Sequence, residues 1–263
     1  MKVGVFGNSS YNLSSAIERI KSVFKEVYIS ESIGGIYSDK ELNEICDVII
    51  SLGGDGTLLR CAKKFKKPII GIKFGKLGFL TFFDIDDIEL IKDALLSGNY
   101  YLDRRDRLKL YIDGIEVDSA LNDFSVNTIS GRVVEIIIKT RNSIITSFYG
   151  DGVIISSPSG STAYNLSAGG PILHPSVKAY IITPICPHNL SARPIVLPKE
   201  IIINITVKPK LGKWRINSDG ELLKECEGAL SFDVELSDEK TSLIKLNKTE
   251  DFFDILRKKL NWR

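Results

Sequence analysis

Residues 47–57 read Asp47-Val48-Ile49-Ile50-Ser51-Leu52-Gly53-Gly54-Asp55-Gly56-Thr57, an apolar run that stops at three glycines and an acid. Such a run is apolar enough to be buried on both faces, as strands of parallel sheets are. Working outward, 57–65 reads as a helix and Pro68–Phe74 as the next strand. Lys2–Phe6 is a short strand, broken by Gly7-Asn8-Ser9-Ser10. Leu13, Ala16, Ile17, Ile20, Val23 and Phe24 recur at helical spacing, and Glu26–Ser30 alternates as a strand. Glu41–Cys46 fits a short helix, and Ile88, Ile91, Ala94 and Leu95 mark another. Alternating strands and helices predict a doubly wound α/β domain over residues 1–102.

The texture changes after residue 103. Arg107–Ile112 and Ile115–Ser119 flank Asp113-Gly114, a two-residue hairpin signal. Further β-rich runs are Val133–Thr140, Ile144–Phe148, Val153–Ser156, Tyr180–Ile185, Ile201–Val207, Trp214–Asn217, Leu230–Leu236 and Leu243–Leu246. Strands without intervening helices predict a β-sandwich over residues 103–246. Phe253, Leu256 and Leu260 make a helical stripe in Glu250–Leu260. A C-terminal helix suits the α/β domain better than a sandwich, so about 247–263 is expected to return to the first domain.

Composition excludes several functions. The 263 residues carry 35 Lys+Arg against 33 Asp+Glu, a net charge of +2 that gives no global field for nucleic acid or anionic membrane. The local basic stretch 208–215 reads as a solvated hairpin. Two histidines, His174 and His188, rule out multi-histidine metal sites and read as structural. Cys46, Cys61, Cys186 and Cys226 have no zinc-type spacing and suit free thiols of a reducing compartment. No signal peptide or membrane-length apolar run occurs, and the expected location is the cytoplasm.

The loop Gly53-Gly54-Asp55-Gly56-Thr57, between strand and helix, suits a phosphate: glycines allow close backbone approach, and a helix N-terminus favours anions. Asp55 is the odd member, because a carboxylate beside phosphates must bind metal or handle a proton. A plain strand-to-helix turn capped by Asp55 or Thr57 is the alternative. The motif resembles the GGDGT signature shared by NAD kinases, diacylglycerol-type lipid kinases and 6-phosphofructokinases, so at this point phosphoryl transfer is favoured and the family stays open.

A second cluster runs from Asp151-Gly152 through Ser156-Ser157-Pro158-Ser159-Gly160-Ser161-Thr162-Ala163-Tyr164 to Ser167-Ala168-Gly169-Gly170-Pro171. Its hydroxyls and exposed amides suit ribose and phosphate oxygens, and Tyr164 suits a ring. This stretch resembles the DGxIxSTPTGSTAYxLSAGGP segment of the NAD kinase family, which lipid kinases and phosphofructokinases do not carry. The resemblance extends to Leu77-Gly78-Phe79-Leu80, to Asn122-Asp123 where the family usually has Asn-Glu, to Pro184-Ile185-Cys186-Pro187 with Arg193-Pro194, and to Ser218-Asp219-Gly220.

The resemblance implies an NAD kinase, moving the terminal phosphoryl of ATP, or of polyphosphate, onto the adenosine-ribose 2′-hydroxyl of NAD to give NADP. Asp55 would be the catalytic proton acceptor, and Gly53, Gly54, Gly56 and Thr57 the phosphate loop. Arg60 could neutralise phosphate charge. Phe79, Tyr149, Thr162, Ala163, Tyr164 and Ser167 would line the dinucleotide pocket. Asn122 and Asp123 would hold the adenine or its ribose, with Asp123 one methylene short. Asp151 would meet the nicotinamide end or second ribose. Glu221 stands where relatives often carry Gln, and its charge would act on NAD against NADP. Mg²⁺ would arrive with the nucleotide, with no dedicated protein metal site, and the assembly would be a homodimer or homotetramer. Two other readings remain: an idle NADP-binding protein on the same scaffold, and a lipid or sugar kinase sharing only GGDGT.

Overall fold

A computed structural model describes residues 1–75, 78–129, 131–247 and 249–262. The first elements are β1 (Lys2–Gly7), α1 (Ser14–Val23), β2 (Glu26–Ile29), α2 (Asp39–Ile45), β3 (Val48–Leu52), α3 (Asp55–Lys64), β4 (Ile69–Ile72) and α4 (Ile88–Ser97). The strands lie in the order β2-β1-β3-β4, all parallel. Two helix ends have clear local causes. Ser38 and Glu41 cap α2 reciprocally, and Gly98 ends α4 with φ +76°. Val3, Val5, Val48, Ile50, Ile70 and Ile72 pack against Ala16, Ile20, Ile88 and Ile91 to form the core. Strand order reverses between β1 and β3, so ligands are favoured beyond the carboxyl ends of those two strands. The glycine loop that follows β3 lies there.

The remaining elements are β5 (Tyr101–Ile112), β6 (Ile115–Ala120), β7 (Asp123–Thr128), β8 (Val134–Lys139), β9 (Ile144–Gly150), β10 (Gly152–Ser156), a one-turn α5 (Tyr164–Ser167), β11 (Ala179–Ile185), β12 (Ile195–Pro198), β13 (Ile203–Pro209), β14 (Lys213–Ser218), β15 (Glu221–Glu227), β16 (Leu230–Lys245) and α6 (Phe252–Leu260). The chain divides into two units, Met1–Arg104 with Thr241–Arg263, and Arg105–Lys240. β5 and β16 each run from one unit into the other. The second unit is a sandwich. One sheet has the order β12-β11-β10-β7-β14-β15, antiparallel throughout, and the other contains β16-β13-β8-β9 with β5 and β6 alongside. Phe124, Val126, Val153, Ile155, Tyr180, Ile182, Trp214 and Ile216 from the first sheet meet Ile136, Ile138, Ile203, Ile205, Phe232 and Val234 from the second. Asp113 and Gly114 both take positive φ, as the predicted hairpin turn requires.

The structure differs from the sequence reading in four respects. β16 is one unbroken strand where the pattern suggests two, because Ser237–Lys240 continues the extended backbone despite its polarity. β7, β12 and β15 have no counterpart in the predicted runs; β7 reads DFSVNT, and its Asp and Asn hide a true alternation. α6 buries Ile255 and Leu256 while Phe253, placed in its apolar stripe by the sequence, is exposed. The basic stretch 208–215 lies on β13, β14 and their connection, where Lys208 pairs with Glu135 and Lys213 with Glu225 and Glu227. No helix among the described residues is long and apolar enough to cross a membrane.

Gly152 marks the tightest point of the central strand pairing: a Cβ there would fall 1.8 Å from the Val126 carbonyl oxygen. Gly152→Ala is therefore expected to lower stability by about 3 kcal/mol through overpacking, read as a fall in denaturant midpoint.

Candidate functional site

In the first unit the site begins where β3 ends. Gly53 takes φ +155°, and a Cβ there would lie 2.3 Å from Thr57 Oγ1, so only glycine fits. Asp55, the first residue of α3, folds its carboxylate back onto the segment 79–81. Its Oδ2 accepts the Phe79 N–H at 2.6 Å. Its Oδ1 accepts the Leu80 N–H at 3.0 Å, the Thr81 N–H at 3.2 Å and the Thr81 hydroxyl at 3.2 Å. Gly78 makes room for this, since a Cβ there would fall 1.9 Å from Asp55 Oδ1. Leu77 of the same motif lies outside the described residues. Gly54 and Gly56 have nothing within 4 Å of a Cβ position, so packing within the chain does not demand glycine at either. Thr57 is buried against Gly53. Arg60 is half-buried on α3, about 140° around the axis from Asp55, and no hydrogen bond or ion pair joins the two. The Phe79 ring lies 5.8 Å from Lys259 Nζ.

In the second unit Asn122 ends the turn before β7 and Asp123 opens that strand. Asp219 holds it, accepting the Leu121 N–H at 2.8 Å on Oδ2 and the Asn122 and Asp123 N–H groups at 2.6 and 3.1 Å on Oδ1. The Asp219 N–H donates back to the Asp123 carbonyl at 2.9 Å. The Asn122 side chain is buried, and its Oδ1 has no hydrogen-bond partner. Asp123 is buried as well. Burial first, and the Asp219 charge second, push its carboxyl up to about 7. The carboxyl of Asp219 is also raised, mainly by burial, with its three amide bonds pulling the other way.

The Ser- and Thr-rich loop behaves differently from the sequence expectation. Several hydroxyls expected to suit ribose or phosphate are buried and spent on the protein itself. Ser157 Oγ donates to the Leu121 carbonyl at 2.5 Å, and its N–H to the Asn122 carbonyl at 2.8 Å. Ser161 Oγ donates to the Pro158 carbonyl and accepts the Leu173 N–H. Asn165 ties the loop shut: its amide donates to the Ser161 and Pro171 carbonyls, and its oxygen accepts the Thr183 hydroxyl at 2.6 Å. What remains at the surface is Tyr164 and Ser167, with Thr162 and Ala163 half-buried. The Tyr164 phenol oxygen accepts from Asn127 Nδ2 at 3.3 Å, which joins the loop to the β7 face carrying Asp123.

Asp151 is clamped between strands: its carbonyl accepts the Thr128 N–H, and its N–H donates to the Ile185 carbonyl. Asp123 and Asp151 thus stand at opposite ends of β7, about 17 Å apart along the strand. Tyr149 is partly exposed on β9 with Lys210 Nζ 5.0 Å from its ring centre. Glu221 is exposed just beyond the Asp219-Gly220 turn. Sequence reasoning missed Ser157, Asn165 and Asp219 as organisers. Their only signal was membership of motifs, because their work is hydrogen bonding to residues distant in sequence.

Comparison with known proteins gives a consistent picture. The family model of the ATP-NAD kinase N-terminal domain matches residues 17–100, and that of the ATP-NAD kinase C-terminal domain matches 121–246. The NAD kinase of Desulforamulus reducens is 41% identical over 259 residues, covering 93% of this chain and 88% of the relative. That of Chlorobium phaeobacteroides is 41% identical over 228 residues, covering 85% and 80%. Among solved structures, an NAD kinase from Archaeoglobus fulgidus in complex with ATP superposes with a TM-score of 0.82 at 25% identity, covering all of both chains. Yeast NADH kinase complexed with NADH has the same fold, with a TM-score of 0.88 at 23% identity over all of this chain and 88% of that one.

The Asp123 environment predicts a pH-dependent stability. Its carboxyl binds its proton more tightly folded than unfolded, so its contribution falls as pH rises from about 4 to about 7 and is flat above. Asp123→Asn removes that dependence. The stability difference in favour of the variant should grow by about 4 kcal/mol between pH 4 and pH 8 in paired urea titrations. Equal pH profiles for the two proteins would contradict the assignment.

Proposed function

The chain belongs to the ATP-NAD kinase family, and on that premise we infer how its own residues carry the reaction. The protein transfers the terminal phosphoryl group of ATP to NAD, giving NADP. The observation that carries the residue assignment is the state of Asp55. One carboxylate oxygen is saturated by three donors, while Oδ2 holds a single amide and keeps acceptor capacity.

In the proposed mechanism, the adenosine-ribose 2′-hydroxyl approaches Asp55 Oδ2. The hydroxyl oxygen bonds to the terminal phosphorus as the bond to the leaving diphosphate breaks, and its proton passes to Asp55 late in the step. Segment 79–81 fixes the carboxylate's orientation, which is the main demand in a loose phosphoryl transfer. The open space at Gly54 and Gly56 supports close approach of the donor's phosphates to the N-terminus of α3, with Thr57 packed behind them. Arg60 then acts on phosphate charge from the flank.

The dinucleotide is held by the second unit. The partnerless Asn122 Oδ1 accepts from the adenine amino group, and Asp123 accepts from ribose hydroxyls in its ionised form. Thr162, Ala163, Tyr164 and Ser167 line the pocket. The length of β7 spaces Asp123 from Asp151, which takes the other end of the dinucleotide beside Tyr149. Glu221 carries a charge that disfavours the phosphorylated ribose of NADP.

Among the described residues no three His, Cys, Asp or Glu side chains group to cage a metal. A cation such as Mg²⁺ would arrive with the triphosphate and would neutralise charge on its oxygens when bound. Inorganic polyphosphate is a second donor to be tested beside ATP. The free thiols Cys46, Cys61, Cys186 and Cys226 suit the reducing cytoplasm. Ile144 on β9 and Val196 on β12 are exposed on the outermost strands of their sheets, which supports a homodimer or homotetramer.

Purified protein incubated with ATP, Mg²⁺ and NAD is expected to form NADP. An idle NADP-binding protein or a lipid kinase would form none. Asp55→Asn should remain folded by circular dichroism and lose about 10²–10⁴-fold in kcat. Full activity of that variant would remove Asp55 from the mechanism.

A further inference from the structure

We propose that Asp219 is a positioning residue for substrate: its carboxylate sets the turn that presents Asn122 and Asp123 to the adenosine half of the dinucleotide. The proposal rests on the binding roles given above to those two side chains. It goes further by assigning a function to Asp219, which touches no substrate atom in that reading.

The turn at 121–122 precedes β7, so no strand ladder supplies partners for its amides. Asp219, almost a hundred residues further along the chain, takes up three consecutive N–H groups and returns its own N–H to the Asp123 carbonyl. On the other side, Ser157 holds the carbonyls of Leu121 and Asn122. Gly160 presses on the same backbone, where a Cβ would stand 2.1 Å from the Asn122 carbonyl oxygen. The backbone of Asn122 is thus bound on both sides while its side-chain oxygen is left buried and unpartnered. Fixing a backbone this fully while leaving one acceptor empty is the arrangement of a preorganised binding site.

The reach of Asp219 comes from its own geometry. It adopts φ +49°, followed by Gly220 at +82°, in the tight connection between β14 and β15. A side chain other than a carboxylate would not serve. Three converging donors need acceptors at both oxygens, and an asparagine would turn its NH₂ toward at least one amide. The arrangement also keeps two acids side by side, which costs stability in a buried turn. A turn serving only the fold gains nothing from that proximity.

The test is steady-state kinetics on full-length wild type, Asp219→Asn and Asn122→Ala, varying NAD at saturating ATP and then ATP at saturating NAD. Asp219→Asn should raise KM for NAD by about tenfold or more, a factor well beyond any loss of kcat, and leave KM for ATP unchanged. Asn122→Ala should raise KM for NAD as well. If Asn122→Ala raises it and a folded Asp219→Asn does not, the positioning role is overturned while the binding reading stands. If neither variant raises it, the binding reading fails and the proposal with it. A fall in kcat with both KM values raised alike, and a lowered melting temperature, makes Asp219 purely structural and overturns the proposal. Should Asp219→Asn not fold, the wild-type amides decide: N–H signals of Leu121, Asn122 and Asp123 must be protected from exchange and must shift on NAD addition. Unprotected or unresponsive amides overturn it.

Discussion

Among the described residues, each unit has a carboxylate that gathers three consecutive backbone amides. Asp55 takes the amides of Phe79, Leu80 and Thr81. Asp219 takes those of Leu121, Asn122 and Asp123. The first captured segment is a loop, and the second runs from a turn into the first residue of β7. Hydrogen bonds to a charged acceptor contribute roughly 1.5–3 kcal/mol each, and leaving the amides bare would cost a comparable amount. One carboxyl side chain thereby fixes three consecutive residues of backbone. In the proposed reaction the same physics serves different ends: in the first unit the loop orients the proposed catalytic carboxylate, whereas in the second the carboxylate orients the turn that leads to the proposed binding groups.

The second constraint is the two-faced character of β7. Its even-numbered Phe124 and Val126 enter the sandwich core, and its odd-numbered Asp123, Ser125 and Asn127 face the other way. Asn217 bridges Ser125 and Asn127, and Asn127 reaches Tyr164. One strand therefore anchors a rigid core and displays a polar row. Rigid backing of this sort lets side chains recognise a ligand without first being ordered by it.

Legibility varied with how local each signal was. The run Val48–Leu52 and the glycine loop are legible because a buried parallel strand needs continuous apolar residues and the turn at Gly53 leaves no room for a Cβ. β7 escaped because Asp and Asn have low strand propensity and the partners that stabilise it, β10 and β14, lie far along the chain. The serine loop is legible as a motif, but what each hydroxyl bonds to is not. Ser157 and Ser161 prove to be internal fasteners because the carbonyls they satisfy are brought to them only by folding. Phe253 misled for a similar reason: helical spacing fixes a face, and only packing selects Ile255 and Leu256 as the buried one.

The sequence by itself determined the layered α/β start, the β-rich continuation, the returning C-terminal helix and the family, because periodicity and motif spacing are local properties of the chain. It also determined that Asp55 would be the unusual member of its loop. Tertiary structure alone decided which Asp55 oxygen keeps acceptor capacity, which Asn122 atom is left without a partner, and that Asp219 holds the turn carrying Asn122. Those facts depend on hydrogen bonds between residues about 24 to 98 positions apart, and no local pattern encodes where such partners meet.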